Sequence, residues 1–490
     1  MTKCFGLPAL AGAVIGLLCS FHWLTAVLIV IAPLLVLLCW LKPEYALYIF
    51  FSFAIILTDA KPNTDIPGIF APTDVKIVQG LPPLLICFFL TMCLIYFFKL
   101  YLIECRESVI SVKCGLVYIV VLLIATGTGF GLRWDPIDLR VDFYNMLFPL
   151  LCFYLCVNIL DTRQKIYGML GVFFIVGMID ASILDAYYLS GHGWAFQSIE
   201  MGATRIVTKS SADLMVFVSM TVLAFSASSS HFLTGWRRVL AYLGCLPMLF
   251  AVIFSYRRTH WIGMMAALIV FYALSSSFEK RKALVWAWAG AVMLTAALLF
   301  AGNGGSTKVF DPIIRRVSEI GDPRQDSNMH HLLETQQVFK DMLSSPVLGL
   351  GLGSKHTPVS DIDWAAEDQP TRVVHNTYLM IWMKLGLPGL FLFLWIAVKY
   401  VMALLSYRKS TFSPNLRPVI AATGATAGHW FVLLLTGPVP AYWYQSFIFT
   451  LFPAMFFTLI REGQMEETEE VINSMPDLIM PVTENHRALT

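Results

Sequence analysis

The chain has 490 residues, of which 57% are hydrophobic and only 13% charged, and its formal net charge is +2. With a mean hydropathy of +0.70, it cannot be a soluble globular protein, for which about 25% charged residues is usual, and the small net charge gives no footing for nucleic acid. The expectation is an all-α polytopic membrane protein.

Apolar windows of about 17–25 residues, the length that crosses a bilayer as a helix, predict 12–14 spans. They lie near 7–20, 24–41, 44–59, 80–102, 114–132, 143–160, 166–189, 211–228, 236–255, 259–276, 283–301, 376–404, 417–436 and 442–460. Only Phe21-His22-Trp23 separates the first two, so residues 6–41 form either a hairpin or one long span. No cleavable signal peptide is expected, because the apolar stretch after Lys3 runs from Gly6 to Leu41, longer than a signal core. The ten cysteines fall between Cys4 and Cys245 with no CxxC pair, which speaks against a disulfide framework. Cys152 and Cys156, one helical turn apart within a span, read as packing.

With the N-terminus inside, the inner ends of the spans hold 17 basic residues and the short outer loops 8, which fits the positive-inside rule. This divides the chain into a bundle of about eleven spans over 1–301, an outer loop over 302–374, three further spans over 375–460, and an acidic inner tail over 461–490. The tail carries Glu466, Glu467, Glu469 and Glu470 and is expected to be solvated and partly disordered. No repeat relates the two halves, which weakens a transporter built on inverted repeats.

The outer loop has structure of its own. Ser327 is a possible N-cap, Leu332, Gln336, Phe339 and Leu343 recur at helical spacing, and Ser344-Ser345-Pro346 ends the helix, which is expected to lie against the outer membrane face. The run Val347-Leu348-Gly349-Leu350-Gly351-Leu352-Gly353 resembles a phosphate loop only superficially, since no βαβ unit surrounds it and the lysine and acidic partners are missing. A close-packed turn is the expectation.

Several polar residues stand where apolar ones are the rule. Arg257 and Arg258 open the tenth span on the outer side. They either snorkel to lipid phosphates or use their planar donor forks to hold a diphosphate. His375 closes the loop at a membrane surface; it either caps a helix or accepts a proton from a sugar hydroxyl, its ordinary pKa of about 6.5 suiting neutral pH. His429, midway along a span, reads as a hydrogen-bonded core residue. Asp180, Asp185 and Lys384 lie inside spans and either pair with one another or line a cavity. Gly386, Pro388 and Gly389 offer a kink to a span too long for a straight crossing. No metal site is expected, because His330 and His331 at the start of the loop helix lack further ligands at suitable spacing.

Three motifs in order carry a resemblance: Arg258-Thr259-His260-Trp261-Ile262-Gly263, then Pro346-Val347-Leu348-Gly349-Leu350-Gly351, then His375-Asn376-Thr377-Tyr378-Leu379 running on to Gly389. Over about residues 250–400 the chain resembles the O-antigen ligase and polymerase superfamily. The resemblance implies a GT-C-like glycosyltransferase of the bacterial inner membrane. Such an enzyme moves a glycan from an undecaprenyl-diphosphate carrier to a hydroxyl acceptor, a glycan or lipid A-core, on the periplasmic side without a metal or other cofactor. Arg258 then holds the diphosphate and His375 assists the acceptor hydroxyl, with Arg257, Asn376, Tyr378, Arg372, His331, Asp180 and Lys384 as substrate-binding candidates. Two departures stand out. Relatives often carry a loop arginine where this chain has His331, for which Arg315, Arg316, Arg324 and Arg372 are possible replacements, and many have an acidic residue where it has Lys384. The alternatives are a protein O-oligosaccharyltransferase and a transporter of a solute or lipid-linked glycan that uses Asp180 and Lys384 as a coupling pair.

Overall fold

The computed structural model describes residues 33–56, 84–105, 108, 112–190, 194–195, 204–205, 211–229, 233–276, 313, 315–322, 325–358, 372–409, 416–441 and 443–474. The spans expected at 7–20 and 283–301 lie outside these residues, as do most of 24–41 and the end of the tail. Eight helices among the described residues are long and apolar enough to cross a membrane, and three shorter apolar ones accompany them. The chain is an all-α polytopic membrane protein, and the strand content of the described residues is one short antiparallel pairing, Trp194 with Arg205 and Ala195 with Thr204.

The chain folds as two compact units. In the smaller, helix α1 (Pro43–Ile56) and helix α2 (Leu84–Phe98) pack through aromatic side chains, with the Phe50 and Phe89 rings 5.3 Å apart, and α2 continues as a π turn over Lys99–Ile103.

The larger unit contains α3 (Val112–Gly131), α4 (Pro136–Ile159), α5 (Arg163–Leu189), α6 (Ser211–Ser229), α7 (Gly235–Phe254), α8 (Arg258–Leu274), the loop helix α9 (Asp326–Met342), α10 (Thr377–Lys409), α11 (Arg417–Thr436) and α12 (Trp443–Ser474). At the centre α11 is buried along most of its length. Small residues allow this: a Cβ on Gly428 would meet the Ala266 carbonyl at 2.7 Å, and one on Gly263 would overlap the His429 ring. In the space so left, His429 Nε2 lies 3.0 Å from His260 Nδ1, which makes His429 the hydrogen-bonded core residue expected of it.

The expected kink in α10 is present at Gly386, whose φ of 69° is open to glycine at little cost. Two expectations need adjusting. Helix α9 begins at Asp326, capped by the Gln325 side chain, which accepts from Asn328 N, rather than at Ser327. Helix α12 continues past Arg461 to Ser474, so the first part of the acidic tail is helical.

Candidate functional site

The loop is stitched to one end of the larger unit. Gly349, Gly351 and Gly353 have φ of 72°, 80° and 77°, and a Cβ on them would run into the backbone of α10, α3 and α4 respectively. Their segment gives its N–H groups to the protein: Leu350 N to Met383 O at 2.7 Å, Leu352 N to Ala125 O at 3.1 Å and Gly353 N to Asp142 Oδ2 at 2.8 Å. A phosphate loop needs those donors for its ligand. Here they are used, and the run is the close-packed turn expected.

Beneath this turn lies a group of charges that is buried at Lys384 and Asp142. Lys384 Nζ is 2.6 Å from Asp142 Oδ2, and Arg372 reaches Asp142 at 3.1 Å and Asp138 at 3.6 Å. Lys355 closes on Asp138 at 2.9 Å, and Ser354 O accepts from Lys384 at 3.2 Å. The pairing of Lys384 with Asp180 is therefore corrected: its partner is Asp142. Asp180 and Asp185 sit buried on α5, which packs on α6, α7 and α12, whereas α10 packs chiefly on α3, α9 and α11. Asp142 was not expected here because α4 begins at Pro136, seven residues before the expected span, with Asp135 as its cap.

The second group surrounds His375. Its Nδ1 lies 3.1 Å from both oxygens of Glu334, and its backbone N–H donates to Glu334 Oε2 at 3.0 Å. A carboxylate can only accept, so in the neutral ring Nδ1 carries the proton and Nε2 keeps a lone pair. Glu334 is only 2% exposed. Burial pushes its carboxyl up, but the hydrogen bonds and charge of His375, with His356 beyond, outweigh this and hold it below the usual range.

Glu334 comes from a face of α9 that the spacing did not single out. The buried line is His330, Glu334, Val338 and Met342, four residues apart, whereas Leu332, Phe339 and Leu343 are exposed. That face leaves α9 an apolar stripe on its outer side, as a helix against a membrane surface needs.

The His331 ring stands 4.7 Å from that of His375. Its pKa falls to about 4, first through burial and then through the nearby charges of His375 and Arg258, with Glu334 opposing. Burial likewise lowers His330. His331 thus packs against His375 and feels the charge of Arg258.

Arg258 is neither snorkelling nor open. Nη1 donates to Glu319 O at 2.7 Å, and Nη2 to Gln325 Oε1 at 2.8 Å and Asn328 Oδ1 at 3.1 Å. It docks the turn before α9 onto the start of α8. Glu319 also receives Arg316 at 2.7 Å and Arg315 at 3.4 Å, with Arg258 at 4.0 Å. Glu319 thus gathers three guanidiniums around one carboxylate. Arg315 and Arg316, two of the suggested replacements for the absent loop arginine, are therefore in place beside Arg258; Arg372 is with Asp142, and Arg324 lies outside the described residues.

Residues 243–394 match the family described as O-Antigen ligase. The chain carries the ligase segment of the O-antigen ligase and polymerase superfamily. The match runs from within α7 to within α10 and takes in Arg258, all of α9, the glycine turn and His375. No curated protein matches the chain. An O-antigen ligase or polymerase type of membrane enzyme acts broadly on a lipid-linked glycan donor and a glycan acceptor.

The remaining expected residues have local roles. Asn376 Oδ1 accepts from Leu379 N at 3.1 Å and so caps α10. The Tyr378 ring packs on Phe393 at 5.7 Å. Arg257 is half-buried in the turn before α8, its N–H bonded to Ser255 Oγ at 3.3 Å.

Proposed function

We propose that the protein is a glycosyltransferase of the bacterial inner membrane that moves a glycan from an undecaprenyl-diphosphate carrier to a hydroxyl acceptor at the periplasmic face. The observation that carries this is the Glu334–His375 pair, with His331 packed on it and with Arg258, Arg315 and Arg316 gathered at Glu319 before the same loop helix. The arginines hold the diphosphate, and Nε2 of His375 takes the acceptor proton as the acceptor oxygen attacks the sugar carbon. The bond from that carbon to the diphosphate oxygen breaks, and the lipid diphosphate leaves with growing negative charge, which fixed guanidiniums stabilise. Glu334 holds the ring in the reactive tautomer and stabilises the imidazolium that forms, as a carboxylate does for a catalytic histidine elsewhere. In this scheme the arginines supply the charge that a metal supplies in other transferases.

The transporter reading loses support, since its coupling pair is not a pair: Lys384 is bound to Asp142. The test is transfer from a polyprenyl-diphosphate oligosaccharide by the purified chain. His375→Gln is expected to lose on the order of 10² in rate, and Glu334→Gln to lose rate while retaining donor binding. Normal turnover by His375→Gln would remove the base from the mechanism.

The sidedness has its own check. Ser344 is exposed beside the loop helix, so a cysteine placed there should react with a membrane-impermeant maleimide on spheroplasts, while Cys105 and Cys114, exposed at inner ends in this topology, should not. The reverse pattern would put the catalytic face inside the cell.

A further inference from the structure

Around Glu334 the fold assembles more imidazole than the transfer reaction uses. His330, one turn before Glu334 on α9, joins Glu334 and His375 so that one ligand atom from each lies within 4.8 Å of the others. His356, from the segment after the glycine turn, brings its Nε2 to 3.7 Å from Glu334 Oε1. The orientation of His356 is informative. Its Nδ1 lies 3.0 Å from Thr357 O. A carbonyl can only accept, so Nδ1 carries the proton, and in the neutral ring Nε2 aims a lone pair towards a carboxylate. In that neutral ring a lone pair and a carboxylate oxygen face each other, an arrangement that either a proton on Nε2 or a metal cation between them satisfies. An imidazole fixed by a backbone carbonyl at one nitrogen, with the other turned to a shared centre, is also how metal-binding histidines are oriented.

We propose that His330, Glu334, His356 and His375 form a binding site for a divalent transition cation of the zinc type, and that the bound cation and the base function of His375 exclude one another. Three imidazoles and one carboxylate suit zinc and its neighbours, whereas magnesium and calcium take oxygen ligands. Tetrahedral ligands about 2.1 Å from an ion lie roughly 3.4 Å apart, so His330, Glu334 and His375, whose ligand atoms lie within 4.8 Å of one another, close by on the order of 1 Å to bind, and His356 turns in from 3.7 Å of Glu334 as the fourth ligand. His330, Glu334 and His356 are buried, and His375, with 23% of its side chain exposed, leaves a way in.

The exclusion follows from which atom the cation takes. Nδ1 of His375 now gives its proton to Glu334; a cation bound between them displaces that proton, which the ring then carries on Nε2. The ring stays neutral but has no lone pair left for an acceptor hydroxyl. This second half rests on the function proposed above, while the site itself does not.

The purified full-length chain, stripped with a chelator, is titrated with Co2+ and then Zn2+. One equivalent of Co2+ should bind with the visible absorption of a four-coordinate site and be displaced by Zn2+. His330→Gln and His356→Gln should each weaken binding by about tenfold or more, and the second variant keeps the test in force if the first fails to fold. In chelator His330→Gln should transfer glycan from a polyprenyl-diphosphate oligosaccharide as the unaltered chain does, yet need at least about tenfold more Zn2+ to be inhibited. Absence of the Co2+ absorption, or equal binding by both variants, overturns the site. Bound metal that leaves transfer untouched overturns the exclusion. Transfer lost in chelator overturns both the exclusion and the base role, whereas an active His375→Gln variant with Co2+ absorption intact in the unaltered chain overturns only the function the exclusion rests on.

Discussion

Two charged clusters hold the same loop to the same end of the bundle, and they are built differently. Around Asp142 every partner is supplied by the protein: Lys384, Arg372 and Gly353 N bind the carboxylate, and Ser354 O takes a further bond from Lys384. Lys384 and Asp142 have side chains only 1% and 5% exposed. Around Glu319, three arginines share one carboxylate and Arg315 is 45% exposed in its side chain. A buried ion pair with its remaining bonds satisfied fixes a geometry and has nothing left to offer a ligand. Guanidiniums gathered at a site that is open to solvent on the Arg315 side present donor forks of the kind that suit an anion. The same residue types thus form a clamp in one place and, in the function proposed above, the surface that holds the diphosphate in the other.

The comparison breaks most readily at the clamp. Asp142→Ala leaves Lys384 buried without its counter-charge, which costs about 3–5 kcal/mol, so the protein should lose membrane abundance and melt earlier. Adding Lys384→Met should restore much of that loss, because the stranded charge is gone. Failure of the second change to rescue the first would mean that Asp142 does more than neutralise a lysine. On the other side, His375→Gln should cost on the order of 10² in rate, about 2.7 kcal/mol at the transition state, with little change in melting temperature. A large effect on stability and a small one on rate would place His375 with the clamp.

The sequence told much about the helices and little about this contrast. The limits of α11 coincide with the expected span at 417–436, because a span is a local property: enough apolar residues in a row to satisfy the bilayer. The kink at Gly386 was legible for the same reason, glycine and proline acting on their own backbone. Neither Asp142 nor Glu334 was found. Asp142 finds Lys384 across 242 residues of chain, and Glu334 finds His375 across 41; no period or motif in one segment reports what a distant segment brings to it. Glu334 did leave a trace, as an acid in line with His330, Val338 and Met342 at four-residue spacing. The stronger apolar signal of Leu332, Phe339 and Leu343 pointed to the opposite, exposed face. Arg258 was recognised by its motif, but its bonds to Glu319, Gln325 and Asn328 are tertiary and came only with the structure.

Those bonds make Arg258 the residue where the two modes of use meet. Arg258→Lys keeps the charge but cannot reach three acceptors at once with the same geometry. If docking the turn dominates, the variant should become more sensitive to proteolysis between α8 and α9, and its apparent affinity for donor should fall with turnover at saturation nearly kept. If charge on the departing diphosphate dominates, turnover should fall instead, with the loop as resistant as before. The present geometry favours a mixed result, a loss of roughly tenfold or more in kcat/KM, about 1.4 kcal/mol, shared between both parameters. An unchanged kcat/KM would remove Arg258 from the anion-binding side of the comparison.

The smallest effect is expected at Asn376, next to His375 in the chain. Its side-chain oxygen accepts from Leu379 N, satisfying one of the N–H groups that a helix start leaves without an intrahelical partner. Removing such a cap costs about 0.5–2 kcal/mol, and the cost here is borne by the first turn of α10, which carries His375 at its edge. Asn376→Ala should therefore lower the melting temperature slightly and reduce transfer by a few-fold through looser placement of the imidazole. Asn376→Ser and Asn376→Asp keep a capping oxygen and should recover most of both losses. That recovery is what separates the cap from a substrate contact: an amide that bound sugar hydroxyls through its NH2 group would be replaced by neither Ser nor Asp. Rescue by both would keep Asn376 with the scaffold, and rescue of stability without rescue of transfer would move it into the binding surface beside His375.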